Sequence, residues 1–183
     1  WFDAIETQLA EFGSAIAAAR VEIVRLLSGM MEQLPDDGPF PKADLILEGG
    51  IEALLSSGVS ASDVEDQYRQ MLAGNRPRDA AAGRTLDGPH RSDLLVMHRP
   101  KSMPANLSST GEQKALLIGI VLSHARLVAR MTGSAPVLLL DEIAAHLDPG
   151  RRAALFDILA ELGAQSFMTG TEPALFAALQ GRA

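Results

Sequence analysis

The stretch LLLDEIAAHLD, residues 138–148, joins a run of leucines to two adjacent acids and closes on a third acid. An apolar run of this kind is typical of a buried strand. A carboxylate at the end of such a strand costs free energy unless water, a metal ion or a hydrogen-bond donor receives it. The stretch therefore predicts that Asp141 and Glu142 lie at the exposed end of a strand and face a ligand.

The segments around this stretch alternate between helix and strand. The sequence predicts a helix from Gln113 to about Met131, a strand PVLLL, a helix from about Pro149 to Leu162, a strand AQSFMTG and a last helix after Pro173. Alternation of this kind indicates α/β architecture with a parallel sheet, and near-continuous apolar strands indicate cover on both faces. Ligands in such folds bind at the carboxyl ends of the strands, where Asp141 and Glu142 are expected.

Apolar residues followed by Asp-Glu form the pattern of a Walker B strand. In that pattern the first acid, Asp141, holds Mg²⁺, and the second, Glu142, orients or deprotonates the attacking water. A structural alternative stays open, in which Asp141 caps the following turn and Glu142 is solvated.

A second candidate site lies one helix upstream, in NLSSTGEQK, residues 106–114. Ser109, Thr110 and Gly111 open a helix whose first N–H groups and dipole suit a phosphate. Ser109 and Glu112 also have the spacing of an ordinary capping box, and both interpretations can hold together.

The first eighty residues read mainly as helices. Apolar residues recur at steps of three and four along one long helix, which predicts a single apolar seam for a partner helix. A coiled-coil partner and a neighbouring helix of the same chain both fit, and we favour the neighbouring helix. The seam consists of Phe2, Ile5, Leu9, Phe12, Ile16, Ala19, Ile23, Leu26 and Met30.

A polar helix is predicted over Ser60 to Gly74, and the sequence pattern changes from helical to alternating strand and helix after Arg84. We expect a helical part over residues 1–83 and an α/β part over residues 84–183.

Composition narrows the class of protein. The chain of 183 residues is 47% hydrophobic and contains no cysteine, which fits a globular protein of a reducing cytosol. A net charge of −7 argues against a protein that coats polyanions generally, although arginines cluster between Arg76 and Lys101. That cluster is also what a solvated surface looks like. The apolar run Ala115 to Leu122 is too short to span a membrane.

Four motifs together resemble the C-terminal part of the RecF family of bacterial DNA-repair ATPases, which are ABC-type ATPases related to SMC proteins. The motifs are GPHRSDL (88–94), SSTGEQKALLIG (108–119), PVLLLDEIAAHLDPGRRAALFDIL (136–159) and QSFMTGTEPALF (165–176). The resemblance is close over about residues 84–180. It implies the C-terminal half of an ABC-type ATPase lobe, preceded by part of a mostly helical arm, lobe II.

The resemblance also implies roles for individual residues. Asp141 resembles the Mg²⁺ carboxylate and Glu142 the catalytic base. Ser109, Thr110 and Gly111 resemble the signature, which contacts ATP bound by the opposite subunit, and Asp148 resembles the D-loop aspartate of the same interface. Thr169 stands where transporter ATPases usually place a histidine, which puts phosphate sensing there in doubt.

The cofactors and partners that the resemblance implies are ATP with Mg²⁺, a homodimer formed on ATP binding, double-stranded or gapped DNA, and the proteins RecO and RecR. It implies recombinase loading at single-strand gaps, a part in the SOS response, a cytoplasmic location and no membrane. Candidate DNA contacts are Arg76, Arg78 and Arg84.

The sequence contains no P-loop pattern GxxxxGK[ST]. We therefore expect part of a longer polypeptide, inactive as an ATPase by itself. The alternatives are half of an SMC-like or transporter-type ATPase, and a non-enzymatic module that donates only its signature face.

Overall fold

The computed structural model describes residues 1–179, without the side chains of Ala145 and His146. Five helices and five strands carry labels below. The helices are α1 (Phe2–Glu32), α2 (Gly50–Ser56), α3 (Ala61–Ala82), α4 (Thr110–Thr132) and α5 (Pro149–Leu162). The strands are β1 (Ala43–Glu48), β2 (Asp93–His98), β3 (Met103–Pro104), β4 (Leu138–Leu140) and β5 (Ser166–Met168). Short 3-10 segments lie at Pro89–Arg91, Arg99–Lys101, Ala105–Leu107, Ile143–His146 and Pro173–Leu179.

The chain forms two compact units, each made of discontinuous segments. The first contains Trp1–Leu26 and Leu45–Leu95, and the second contains Leu27–Asp44 and the chain from Val96 onward. The division into parts at residues 83 and 84 stays a prediction.

In the first unit, α1 packs through its small residues. The core consists of Ala10, Ala17, Ile51, Val64, Tyr68 and Leu72. Gly13 allows the close approach, because a Cβ atom at that position would lie 2.5 Å from Cε1 of Tyr68.

In this unit, most of the predicted apolar seam of α1 lies on the side of the helix away from the packed small residues. Its members Phe2, Leu9, Phe12, Ile16 and Ile23 are 37–61% exposed among the described residues. The expectation that a neighbouring helix of the same chain covers the seam is therefore wrong for this stretch. The helical period of the sequence identified the stripe of large apolar residues as the packing face. In the structure the stripe of small residues packs instead, because small side chains allow helices to approach closely.

The GPHRSDL segment is fixed within the first unit by hydrogen bonds. The Arg20 guanidinium donates to the carbonyl of Pro89, and the Ser92 hydroxyl donates to the carboxylate of Glu52 at 2.5 Å. Glu52 is only 1% exposed, and Arg20 also lies 3.6 Å from it. This segment therefore acts at least as a structural tie between α1, α2 and the chain before β2.

In the second unit, β4 and β5 are parallel, as the sequence predicts, with Leu140 opposite Met168. Leu138 and Leu140 face a core built with α4 and α5, which includes Phe40, Ala115, Ile118, Leu122, Leu155 and Phe156. The opposite face is open: Leu139 is 77% and Phe167 57% exposed. The expected cover on both faces is thus found on one face only within residues 1–179.

Helix α4 is the central helix of this core. It is long and apolar enough to cross a membrane by length and composition alone. Its buried residues include Leu116, Ile118, Leu122 and Leu127, so packing inside a protein accounts for its apolar character.

Candidate functional site

Thr169 joins the two acids predicted at the end of β4. The parallel register brings the ends of β4 and β5 together, because Leu140 pairs with Met168. The Thr169 hydroxyl donates to Oδ1 of Asp141 at 2.5 Å and accepts the backbone N–H of Glu142 at 2.8 Å. The Thr169 N–H donates to the carbonyl of Leu140 at 3.2 Å. Three predicted site residues, Asp141, Glu142 and Thr169, are therefore in direct contact.

The backbone of Glu142 adopts the left-handed conformation, with φ 50° and ψ 16°. Non-glycine residues adopt this region rarely and at a cost in free energy. The carboxylate of Glu142 is exposed and makes no hydrogen bond or ion pair to the residues that the structure describes. It is thus available to a water molecule or ligand outside the strand end.

Asp141 has the chemistry of a single Mg²⁺ ligand. Mg²⁺ in nucleotide sites is usually bound by one or two carboxylates, with phosphates and water completing the shell. Within residues 1–179, no group of three or more His, Asp or Glu side chains could hold a metal by itself. Asp141 is exposed, and Thr169 takes only Oδ1, which leaves Oδ2 for the ion. The residues present therefore fit a shared Mg²⁺ site.

A groove of about 300 Å³ runs from Asp141 along α4. Lys114, the fifth residue of α4, and Asp141 both line it, so the N-terminal part of this helix and the end of β4 lie close together. Its remaining lining is apolar and includes the exposed Leu117 and Leu139.

The start of α4 forms a complete capping box. The Ser109 hydroxyl accepts the N–H of Glu112 at 3.4 Å, while the Glu112 carboxylate accepts the N–H of Ser109 at 3.0 Å. Thr110 and Gly111 are exposed, and a Cβ atom at Gly111 would meet no atom within 4 Å. The first N–H groups of a helix have no partner inside it, so this end stays open to an anion. The capping interpretation is realised, and the phosphate interpretation stays a prediction.

Asp148 is the N-cap of α5. Its carboxylate accepts the N–H of Arg151 at 2.9 Å, and this hydrogen bond is the main reason that its pKa lies below the ordinary value. The turn before it is held by Arg152, whose guanidinium donates to the carbonyls of Ala144 and Leu147. Arg152 could not be identified from the sequence, because an arginine that donates to backbone carbonyls leaves no sequence pattern.

The three candidate DNA contacts differ in availability. Arg76 is bound within the first unit to Asp3 and Glu6, and this raises its pKa. Arg78 donates to the side chain of Asn75 at 3.1 Å. Arg84 is exposed and has no side-chain partner among the described residues. Arg84 is therefore the freest cation of the three.

The chain is similar to known proteins over its whole length. No protein-family model matches the chain. Over its whole length the chain is 69% identical to the DNA replication and repair protein RecF of Mesorhizobium japonicum and 66% identical to that of Brucella abortus. It spans about half the length of these curated relatives, 48% and 47% respectively.

Two solved structures share the fold. One is the recombination mediator protein RecF with ATPrS, with a TM-score of 0.76 over 93% of this chain and 45% of that one, at 23% identity. The other, RecF with ATP, has a TM-score of 0.73 over the same shares of the two chains, at 24% identity. The identification of the chain as the C-terminal part of a RecF protein, and its fold class, are confirmed.

Proposed function

We propose that this C-terminal part of a RecF-type DNA replication and repair ATPase supplies two surfaces for ATP, one for each of two nucleotides in a dimer. The observation that carries the proposal is the hydrogen bonding of Thr169 to both Asp141 and Glu142 at the ends of two parallel strands. Thr169 thereby fixes the carboxylate of Asp141 and the backbone of Glu142, and fixed positions of this kind support a catalytic pair.

The first surface is the strand end. The Asp141 carboxylate would hold Mg²⁺, and the ion would neutralise charge on the phosphates. Glu142 accepts a proton from the attacking water, and its carboxylate is exposed and available for that role. Thr169 keeps the Asp141 oxygen and the Glu142 amide in fixed positions. The phosphates themselves need a P-loop, which this sequence lacks.

The second surface is the start of α4. The N–H groups of Thr110 and Gly111 form an exposed set of donors for the γ-phosphate bound by an opposite subunit. The Ser109 hydroxyl, which donates to Glu112 at 2.9 Å in this structure, joins them when it turns to the phosphate. Asp148 lies at the start of α5 and contributes to the same interface. Hydrolysis then depends on an ATP-driven homodimer, because neither subunit holds both surfaces around one nucleotide.

The biological role follows from the family. The dimer binds double-stranded or gapped DNA in the cytoplasm, and works with RecO and RecR to load recombinase at gaps. In this chain, Arg84 is the candidate DNA contact best supported by its exposure and lack of an internal partner. Arg76 instead ties α1 to α3.

The test is Ser109→Arg in a full-length RecF protein that carries this chain as its C-terminal part. A bulky cation at the second surface should abolish ATP-dependent dimerisation, measured as molecular mass in solution, while one subunit still binds ATP. The matched control is Ser60→Arg, because Ser60 caps α3 with the same hydrogen bond to the residue three positions on.

Both substitutions remove a helix cap and should lower the free energy of unfolding by about 1 kcal/mol. Only Ser109→Arg should affect dimerisation. Normal ATP-dependent dimers of Ser109→Arg, or an equal loss in Ser60→Arg, would contradict the proposal.

A further inference from the structure

Glu112 is shared between the signature serine and a lysine from another segment. One carboxylate oxygen lies 2.5 Å from Nζ of Lys101, in the turn Arg99–Lys101. The other accepts the N–H of Ser109 at 3.0 Å and its hydroxyl at 2.9 Å. Lys101, Glu112 and Ser109 therefore form one connected chain of contacts at the start of α4.

The Glu112 carboxylate in this set of contacts places a negative charge beside the proposed phosphate surface. Lys101 is the largest cause, and the Ser109 N–H the second, of a Glu112 pKa lowered to about 2. Glu112 is therefore ionised at neutral pH. Its carboxylate accepts the hydrogen bond of the Ser109 hydroxyl, which a phosphate oxygen would otherwise accept. An unneutralised carboxylate there would repel a triphosphate, since like charges brought together at an interface are strongly unfavourable.

From these contacts we infer that Lys101 is a positioning residue for the second ATP surface. Its ammonium neutralises Glu112 and holds the carboxylate when the Ser109 hydroxyl turns from Glu112 to the γ-phosphate. The inference rests on the proposed function and adds to it a residue outside the signature. Lys101 has the reach for this role, because its Nζ atom already lies 2.5 Å from the Glu112 carboxylate.

The experiment compares charge variants of the full-length protein by ATP-dependent dimer mass. Lys101→Ala leaves Glu112 unneutralised and should weaken ATP-driven dimerisation by on the order of tenfold, which is about 1.4 kcal/mol. Lys101→Arg keeps the charge and should dimerise close to wild type. The double variant Lys101→Ala with Glu112→Gln removes both charges and should recover most of the loss.

A matched control is Arg69→Ala, which removes the cation of an exposed ion pair with Asp66 in α3. It should leave dimerisation unchanged. Thermal unfolding of every variant separates a fold defect from an interface defect, because a merely structural Lys101 would lower stability and dimerisation together, without recovery in the double variant.

The outcomes separate the inference from the proposed function. Wild-type dimerisation by Lys101→Ala, while Ser109→Arg fails to dimerise, overturns the inference and leaves the proposed function standing. Lack of recovery in the double variant overturns charge neutralisation as the role of Lys101. A wild-type protein that does not dimerise with ATP overturns both.

Discussion

The hydroxyl of Thr169 donates to the carboxylate of Asp141 and accepts the backbone N–H of Glu142. One side chain at the end of β5 thus holds the carboxylate of Asp141 and the backbone of Glu142 at the end of β4. The carboxylate of Glu142 itself stays exposed.

Thr169→Val should lower ATP turnover of the full-length protein by roughly 10- to 100-fold, the usual effect of losing a side chain that orients a metal ligand. Valine has the shape of threonine and lacks only the hydrogen bonds. Thr169→Ser keeps the hydroxyl and is the control, so it should retain most turnover. Steady-state ATPase rates check this, and equal rates for the two variants would exclude the orienting role.

Glu142→Gln in the full-length protein should preserve ATP binding and dimerisation and reduce hydrolysis by about 10²-fold or more, because only the proton acceptor is lost. The dimer should then persist after ATP addition, measured as a slower return to monomer mass. An unchanged turnover rate would remove Glu142 from its proposed role.

The chain of 183 residues by itself should hydrolyse no ATP, since positioning the β- and γ-phosphates requires a P-loop that it does not contain. Phosphate release from a pure preparation is the measurement. Activity that disappears in Glu142→Gln would contradict this expectation, whereas activity unaffected by that substitution would indicate a contaminant.

Gly13→Ala should destabilise the chain by about 1–3 kcal/mol, because the added methyl group would lie 2.5 Å from the buried ring of Tyr68. The matched control is Gly29→Ala in the same helix, where a Cβ atom meets nothing within 4 Å. That control should be stabilising by roughly 0.5–1 kcal/mol through helix propensity. Chemical denaturation of both variants gives the sign, and a stabilising Gly13→Ala would contradict the close packing of α1.

Glu112 should contribute to stability at neutral pH and lose that contribution in acid. Its pKa is lowered from an ordinary 4.5 to about 2, so the contribution is fully present above pH 4.5 and is lost as the pH falls towards 2. Carboxyl titration by NMR should show this value, and Lys101→Ala should raise it. The pKa of Glu22, which is lowered by Arg25, should not change in that variant and serves as the control.

The sequence predicted the second unit better than the first. The order α4, β4, α5, β5 follows from apolar runs and caps, and the Asp141–Glu142 position follows from the strand that precedes it. The contact of Thr169 with both acids could not be predicted, because it depends on the register of β5 beside β4. The Lys101–Glu112 pair depends likewise on the path of a loop.

The face of α1 that packs was predicted incorrectly for a different reason. Large apolar residues mark a seam by size, yet the described part of the first unit buries Ala10, Gly13 and Ala17 and exposes Phe12 and Ile16. The distance between two packed helices depends on the side-chain volumes of both helices. The sequence of one helix alone therefore does not determine which of its faces packs.

The left-handed backbone of Glu142 sets protein stability against catalytic activity at one position. Asparagine tolerates this conformation better than glutamate, so Glu142→Asn should relieve part of a backbone cost of about 1–2 kcal/mol. The same change removes the proton acceptor. Laboratory evolution for heat resistance alone should therefore favour replacement of Glu142, whereas selection for turnover should retain a residue that its own backbone disfavours.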